Sequence, residues 1–208
     1  MKEVLISIQP RWCEKIASGS KTVEVRKTAP KTETPFKCYI YCTKGNPKDP
    51  HQRIETHGVD GKIRLANGTV FAEFICDEVR LGILDVSEYV DSVNIGREET
   101  GLRISDIKAY LGMKYVERKG QHKFYGWHIS NLVIYDEPKR IDELIVKSDS
   151  GCCNEGKCRQ CIFFDKGNGF NVEDDCTATF DTDEYRPLRR PPQSWCYVER
   201  TGERREGE

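Results

Sequence analysis

The chain has 208 residues, of which 37% are hydrophobic and 32% charged, with 33 Lys and Arg against 34 Asp and Glu. A net charge of −1 excludes a protein that coats nucleic acid by bulk electrostatics. No apolar run approaches the roughly 20 residues that a membrane helix needs, and the length suits one ordinary domain plus a small one.

In chain order, a first strand is expected over Val4 to Ile8, ending at Pro10, which suits the first turn of a helix. Trp12, Ile16 and Ala17 give that helix an apolar stripe, and Gly19 closes it. Thr22 to Arg26 alternates as a strand, so Thr22, Glu24 and Arg26 share one face while Val23 and Val25 point to a core. A Pro- and Thr-rich loop, Thr28 to Pro35, leads to a strongly β-prone strand, Phe36 to Cys42. Residues 43–60 are rich in breakers and read as a long loop. Gly61 to Ala66 and Thr69 to Cys76, joined by Asn67-Gly68, read as a hairpin. A polar stretch from Ser92 to Gly101 precedes a short helix capped by Ser105 and ended by Gly112. Gly126 to Asp136 is a strand stopped by Pro138. Strands outnumber helices and the helices are short, so the fold class is α+β, mainly β: a small, partly closed β-barrel with short flanking helices.

The charge is uneven. Residues 148–208 carry 9 Lys and Arg against 13 Asp and Glu, leaving 24 basic and 21 acidic residues in 1–147. The mildly basic first part permits nucleic-acid contact. The N-terminus is too short and polar for a signal peptide, so a cytoplasmic protein with no membrane partner is expected.

Ten cysteines are many for such a protein. Cys13, Cys38, Cys42 and Cys76 are scattered and read as small buried hydrophobes. Six fall within residues 152–196. Cys158 and Cys161 form a C-x-x-C, whose turn sets two thiolates on one side of a tetrahedral ion; Cys176 and Cys196 complete a Zn²⁺ site, with Cys152 or Cys153 as replacements. The surrounding segment is rich in Gly, Asn, Asp and Pro and poor in aliphatics, so a structural zinc supplies the ordering energy its core lacks. The expected organisation is a barrel domain over 1–147, a small Cys-rich zinc-type module over 148–200 with capacity for a protein partner, and a disordered polar tail over 201–208.

Gly19, Lys21, Glu24 and Arg26 form the run G-x-K-x-x-E-x-R between the first helix and the charged strand. Charged residues alternating with valines also describe an ordinary solvated strand face. The run, the preceding Val4-to-Pro10 segment and the Phe124-to-Leu144 stretch together resemble the ASCH domain family of the PUA-like superfamily, over roughly residues 3–146. The resemblance implies a small PUA-like β-barrel whose cleft is lined by Lys21, Glu24 and Arg26, with RNA or a nucleotide as the ligand. Trp127 and His128, from the closing strand, flank that cleft as a stacking platform; alternatively Trp127 fills the barrel and His128 is a surface residue. One branch of the family deacetylates acetylated cytidine with a Lys, a Thr three residues after it, and a Glu. Here Lys21 matches, Glu24 stands at the nucleophile position without a hydroxyl, Thr22 is out of register by two, and the third member falls at Glu98 or Glu99. Recognition is therefore the first reading, and an amidohydrolase or a protein-interaction adaptor the alternatives.

Overall fold

Val4 to Ile8 is apolar at every position but Ser7, and in the computed structural model it is the middle of a sheet, buried on both faces. The structure describes residues 3–46, 48–49, 52–113, 119–147 and 185–200. Strand β1 (Glu3–Ile8) runs parallel to β3 (Phe36–Cys42) and antiparallel to β13 (Trp195–Arg200). With β6 (Val70–Cys76), β10 (Ser130–Lys139), β11 (Leu144–Lys147) and β12 (Tyr185–Pro187) these make a seven-stranded sheet in the order β10-β6-β3-β1-β13-β11-β12. A second sheet has the order β2-β9-β7-β8, from β2 (Val23–Arg26), β7 (Val79–Val86), β8 (Ser92–Val93) and β9 (Gly120–His128). A two-stranded ribbon, β4 (Glu55–His57) with β5 (Ile63–Leu65), forms a separate sheet beside β10, tied to it by Arg64 and Glu137.

The mainly-β α+β architecture expected from the strand count is the one observed, as two half-barrel sheets packed over a shared interior. Val4, Ile6, Ile8, Phe36, Cys38, Ile40, Phe74 and Trp127 fill the space between the sheets. Leu5, Tyr39, Tyr41, Leu144, Leu188 and Val198 form a second cluster on the other face of the larger sheet. The outer face of the smaller sheet buries Val23, Val25, Leu84 and Phe124 under Ile107 of α3 (Ile104–Tyr110). Period-2 alternation accounts for this directly, because β2 sends its valines to one cluster and its charged residues to the other.

Several expectations change. The single strand over Gly126 to Asp136 is two strands, β9 and β10, which leave one sheet and enter the other around Ile129. Pro138 lies inside β10, an edge strand with an irregular register after Ile134, where its missing N–H costs no ladder bond. Asn67-Gly68 does not close a hairpin: β5 pairs with β4, while β6 is held between β3 and β10. The Asn67 side chain instead stitches the preceding loop, accepting from Ile54 N at 2.8 Å and donating to Gln52 O at 2.7 Å. Strand β7 is not marked by its residue types, because Val79 to Val86 lacks clean apolar alternation although its burial alternates from Gly82 onward. Helix α3 is capped at Arg103, not Ser105, with Asp106 accepting from the Arg103 backbone N–H at 3.0 Å.

Residues 185–200 were expected within the Cys-rich module, yet β12 and β13 extend the main sheet. Just before β13, Ser7 N donates to Ser194 O at 2.9 Å and Ser7 Oγ to Pro192 O at 2.7 Å. Cys158, Cys161, Cys176, Cys152 and Cys153 lie outside the described residues, as does the tail over 201–208. Cys196 lies on β13 opposite Leu5, half-buried against the second cluster. Among the described residues no three His, Cys, Asp or Glu side chains converge as a metal site, and no helix is long and apolar enough to cross a membrane.

Candidate functional site

The run G-x-K-x-x-E-x-R lies where α1 (Pro10–Ala17) ends and β2 begins. Gly19 takes φ +72 after the helix, a left-handed conformation that turns the chain back toward the sheet. Lys21, Glu24 and Arg26 are then only 2%, 7% and 5% exposed. The expectation of an open charged strand face is corrected here: both faces of β2 are inside. The reason is the pairing of β2 with β9, which sets Glu24 opposite Trp127 and turns the charged face into the interior between the sheets.

Charges buried to this extent must be paired and hydrogen-bonded, and apart from the Arg26 Nε–H they are. Glu24 accepts from Lys21 Nζ at 3.2 Å on one oxygen and from Arg26 Nη2 at 3.1 Å on the other. Lys21 Nζ also donates to Val23 O and to Thr100 O, each at 2.7 Å. Its three ammonium protons are thus committed, and they tie β2 to the end of α2 (Arg97–Thr100). Arg26 Nη2 donates to Ser7 O of β1 at 2.7 Å, and Nη1 approaches Ser194 Oγ at 3.4 Å. Burial pushes the Lys21 pKa below the ordinary lysine value, against the pull of the Glu24 carboxylate.

Trp127 fills the interior. It is fully buried, with its ring edge-on to Phe36 at 5.9 Å and to Trp195 at 5.8 Å between centroids. It offers no stacking surface, so its place as a platform on the cleft wall is corrected to a core role. His128 faces outward, its Nδ1 2.6 Å from Asp77 Oδ1, and that contact lowers the Asp77 pKa. Thr22 N donates to Glu99 O at 2.9 Å, so the structure brings Thr22 beside α2. The Glu99 carboxylate, however, is held by Arg80, while Glu98 is exposed on the first turn of α2.

The open surface next to this buried cluster is a pocket of about 300 Å³ lined by Arg11, Trp12, Lys15, Arg97, Gly101, Arg103 and Asp106. Sequence reasoning assigned Trp12 to the apolar stripe of α1 and did not single out the four basic residues. The buried stripe of the helix is instead Pro10, Cys13 and Ile16, which rotates Trp12 to the rim, half-exposed. Three cations surround its ring: Arg11 Cζ at 4.5 Å from the centroid, Lys15 Nζ at 5.1 Å and Lys21 Nζ at 5.8 Å. Lys15 Nζ donates to Gly101 O at 3.1 Å. Gly101, at φ +66, ends α2 and lets the chain pass close to Lys15 and Lys21. Asp106 is the pocket's one acid; burial works to raise its pKa, but hydrogen bonds from Arg103 prevail and hold it low.

The Lys21–Glu24–Arg26 cluster, net +1 when all three are charged, therefore lies directly behind a pocket with four cations and one carboxylate. A low-dielectric interior screens it little, so its field adds to that of the pocket. The arrangement can attract an anion and hold a planar group on or beside the Trp12 ring.

No family model and no curated protein matches the sequence. Among solved structures, the crystal structure of ASCH from Zymomonas mobilis is similar over 95% of this chain and 88% of that one, at 18% identity and a TM-score of 0.47. Two single-residue variants of the same Zymomonas mobilis protein are similar at 17% and 18% identity, covering 96% and 95% of this chain and 91% and 89% of theirs, with TM-scores of 0.47 and 0.42.

Proposed function

We propose that the protein binds nucleic acid, RNA in the first instance, through the pocket around Trp12. The observation that carries this reading is a pocket lined by Arg11, Lys15, Arg97 and Arg103 together with the half-exposed Trp12 ring, over which Arg11 and Lys15 lie. Arg and Lys meet phosphate oxygens, and a tryptophan face accepts any base. The G-x-K-x-x-E-x-R run supports the same reading through the ASCH resemblance, though its side chains act here from behind the pocket. The test is fluorescence anisotropy with single-stranded and hairpin RNA. Trp12→Ala and Arg97→Ala are expected to weaken binding about tenfold each. Unchanged affinity in both sinks the reading.

The amidohydrolase alternative needs Lys21 to activate a hydroxyl, and all three Lys21 protons already have acceptors. Acetate release from acetylated cytidine by the purified protein would reinstate it.

For the Cys-rich segment we propose a structural zinc held by Cys158, Cys161 and Cys176, with Cys152 or Cys153 in preference to Cys196, whose β13 position sets it against the second core cluster. Elemental analysis finding well under one zinc per chain would refute it.

A further inference from the structure

The pocket around Trp12 is small for the class of ligand it fits. Ligand pockets run from about 300 to 1,000 Å³, so about 300 Å³ holds one nucleotide and not a longer piece of strand. Its wall does not stop there. Arg103 and Asp106 line the pocket at the start of α3, and Tyr110 follows them at the spacing that keeps residues on one helix face. The rise from Arg103 to Tyr110 is about 10 Å. Tyr110 is 36% exposed, the fully buried Ile107 beneath it fixes the helix on the sheet, and Lys27 Nζ lies 5.4 Å from the Tyr110 ring centroid. Lys27 directly follows Arg26, whose guanidinium is pinned to Glu24 and Ser7, so its backbone is firmly placed.

The surface thus repeats one arrangement twice: an aromatic ring with a cation over it, Trp12 with Arg11 and Lys15, then Tyr110 with Lys27. Two acids near this path are already engaged. Asp106 is bound by Arg103 at 3.2 Å and by the Arg103 backbone N–H, and Asp91 by Lys108 at 2.6 Å. We propose that Tyr110 and Lys27 form a second nucleotide subsite, so that the protein takes a nucleic-acid strand across α3 rather than a free mononucleotide. This rests on the nucleic-acid reading of the Trp12 pocket. A base stacks on Tyr110 while the Lys27 ammonium, displaced from the ring, meets the phosphate between the two bases. A duplex does not fit this mode, because its bases are already stacked on one another.

The experiment compares uridine monophosphate with a four-nucleotide uridine oligonucleotide, by calorimetry on the full chain. The wild type is expected to bind the oligonucleotide at least about tenfold more tightly than the mononucleotide. Tyr110→Ala removes that gain and leaves mononucleotide affinity unchanged, Tyr110→Phe retains it, and Lys27→Ala, which spares the helix, lowers oligonucleotide affinity and its salt dependence. If Trp12→Ala weakens both ligands while Tyr110→Ala and Lys27→Ala leave oligonucleotide affinity unaltered, the second subsite alone is overturned. If the wild type binds neither ligand, or Trp12→Ala changes nothing, the pocket reading falls and the subsite with it.

Discussion

Glu24 and Trp127 face each other across paired strands β2 and β9, a carboxylate and an indole side by side in the interior. The carboxylate is tolerable there because Lys21 and Arg26 take one oxygen each. A position that would ordinarily be solvated thereby joins β1, β2 and α2.

Glu24→Gln is expected to destabilise the fold by about 3–5 kcal/mol, because it leaves two buried cations without their counter-charge. Urea denaturation measures this as a lower midpoint with little change in slope. The triple change Lys21→Met, Glu24→Leu, Arg26→Met should cost less than the sum of the three single changes, since no unpaired charge remains.

Trp127→Phe should lower the unfolding midpoint through lost packing volume while leaving nucleic-acid affinity within about twofold. Trp12→Ala should do the reverse. A large loss of affinity in Trp127→Phe, with the fold intact by circular dichroism, would return Trp127 to the binding surface.

The sequence disclosed the chemistry of this region better than its depth. Period-2 alternation in β2 placed the valines correctly, and G-x-K-x-x-E-x-R marked the right stretch of chain. What alternation does not encode is which strand lies opposite; only the pairing with β9 decides that the polar face is interior. Trp12 shows the converse. The choice among apolar residues on an eight-residue helix turns on a rotation of about one position, which the sheet beneath α1 fixes. Strand β7 and the departure from Asn67-Gly68 hairpin pairing arise likewise from partners distant in sequence.

Salt dependence tests the electrostatics of the pocket. The slope of log affinity against log salt should shrink by about one for each of Arg11→Ala and Arg97→Ala. Mutation of Arg140, exposed and paired with Asp142, should leave it unchanged.

Buried thiols predict an alkaline weakness. Burial raises Cys13 and Cys38 well above the ordinary thiol value and Cys76 to about 12. These groups stay protonated in the folded state while the unfolded chain ionises near 9. Their contribution is intact below about pH 9 and is lost as pH climbs from there toward about 12. Chemical denaturation at pH 8 and pH 10.5 should show the fall. At pH 8, mass-resolved alkylation should leave Cys13, Cys38, Cys42 and Cys76 unmodified until the protein unfolds.

Gly101→Ala should cost about 1–2 kcal/mol through its left-handed backbone. Because Gly101 also lines the pocket, the same change should weaken nucleotide binding, read as a drop in affinity larger than that of an exposed control such as Gly61→Ala.

The pairing of Glu3 with Val198 sets the timing of assembly. A chain emerging from the ribosome at about 5–20 residues per second presents β1 long before β13 exists, an interval on the order of 10–40 s. Throughout it, one edge of β1 has unanswered backbone donors and acceptors beside a hydrophobic core, the kind of surface that recruits chaperones or neighbouring nascent chains. A polypeptide cut at residue 147 would carry that open edge permanently.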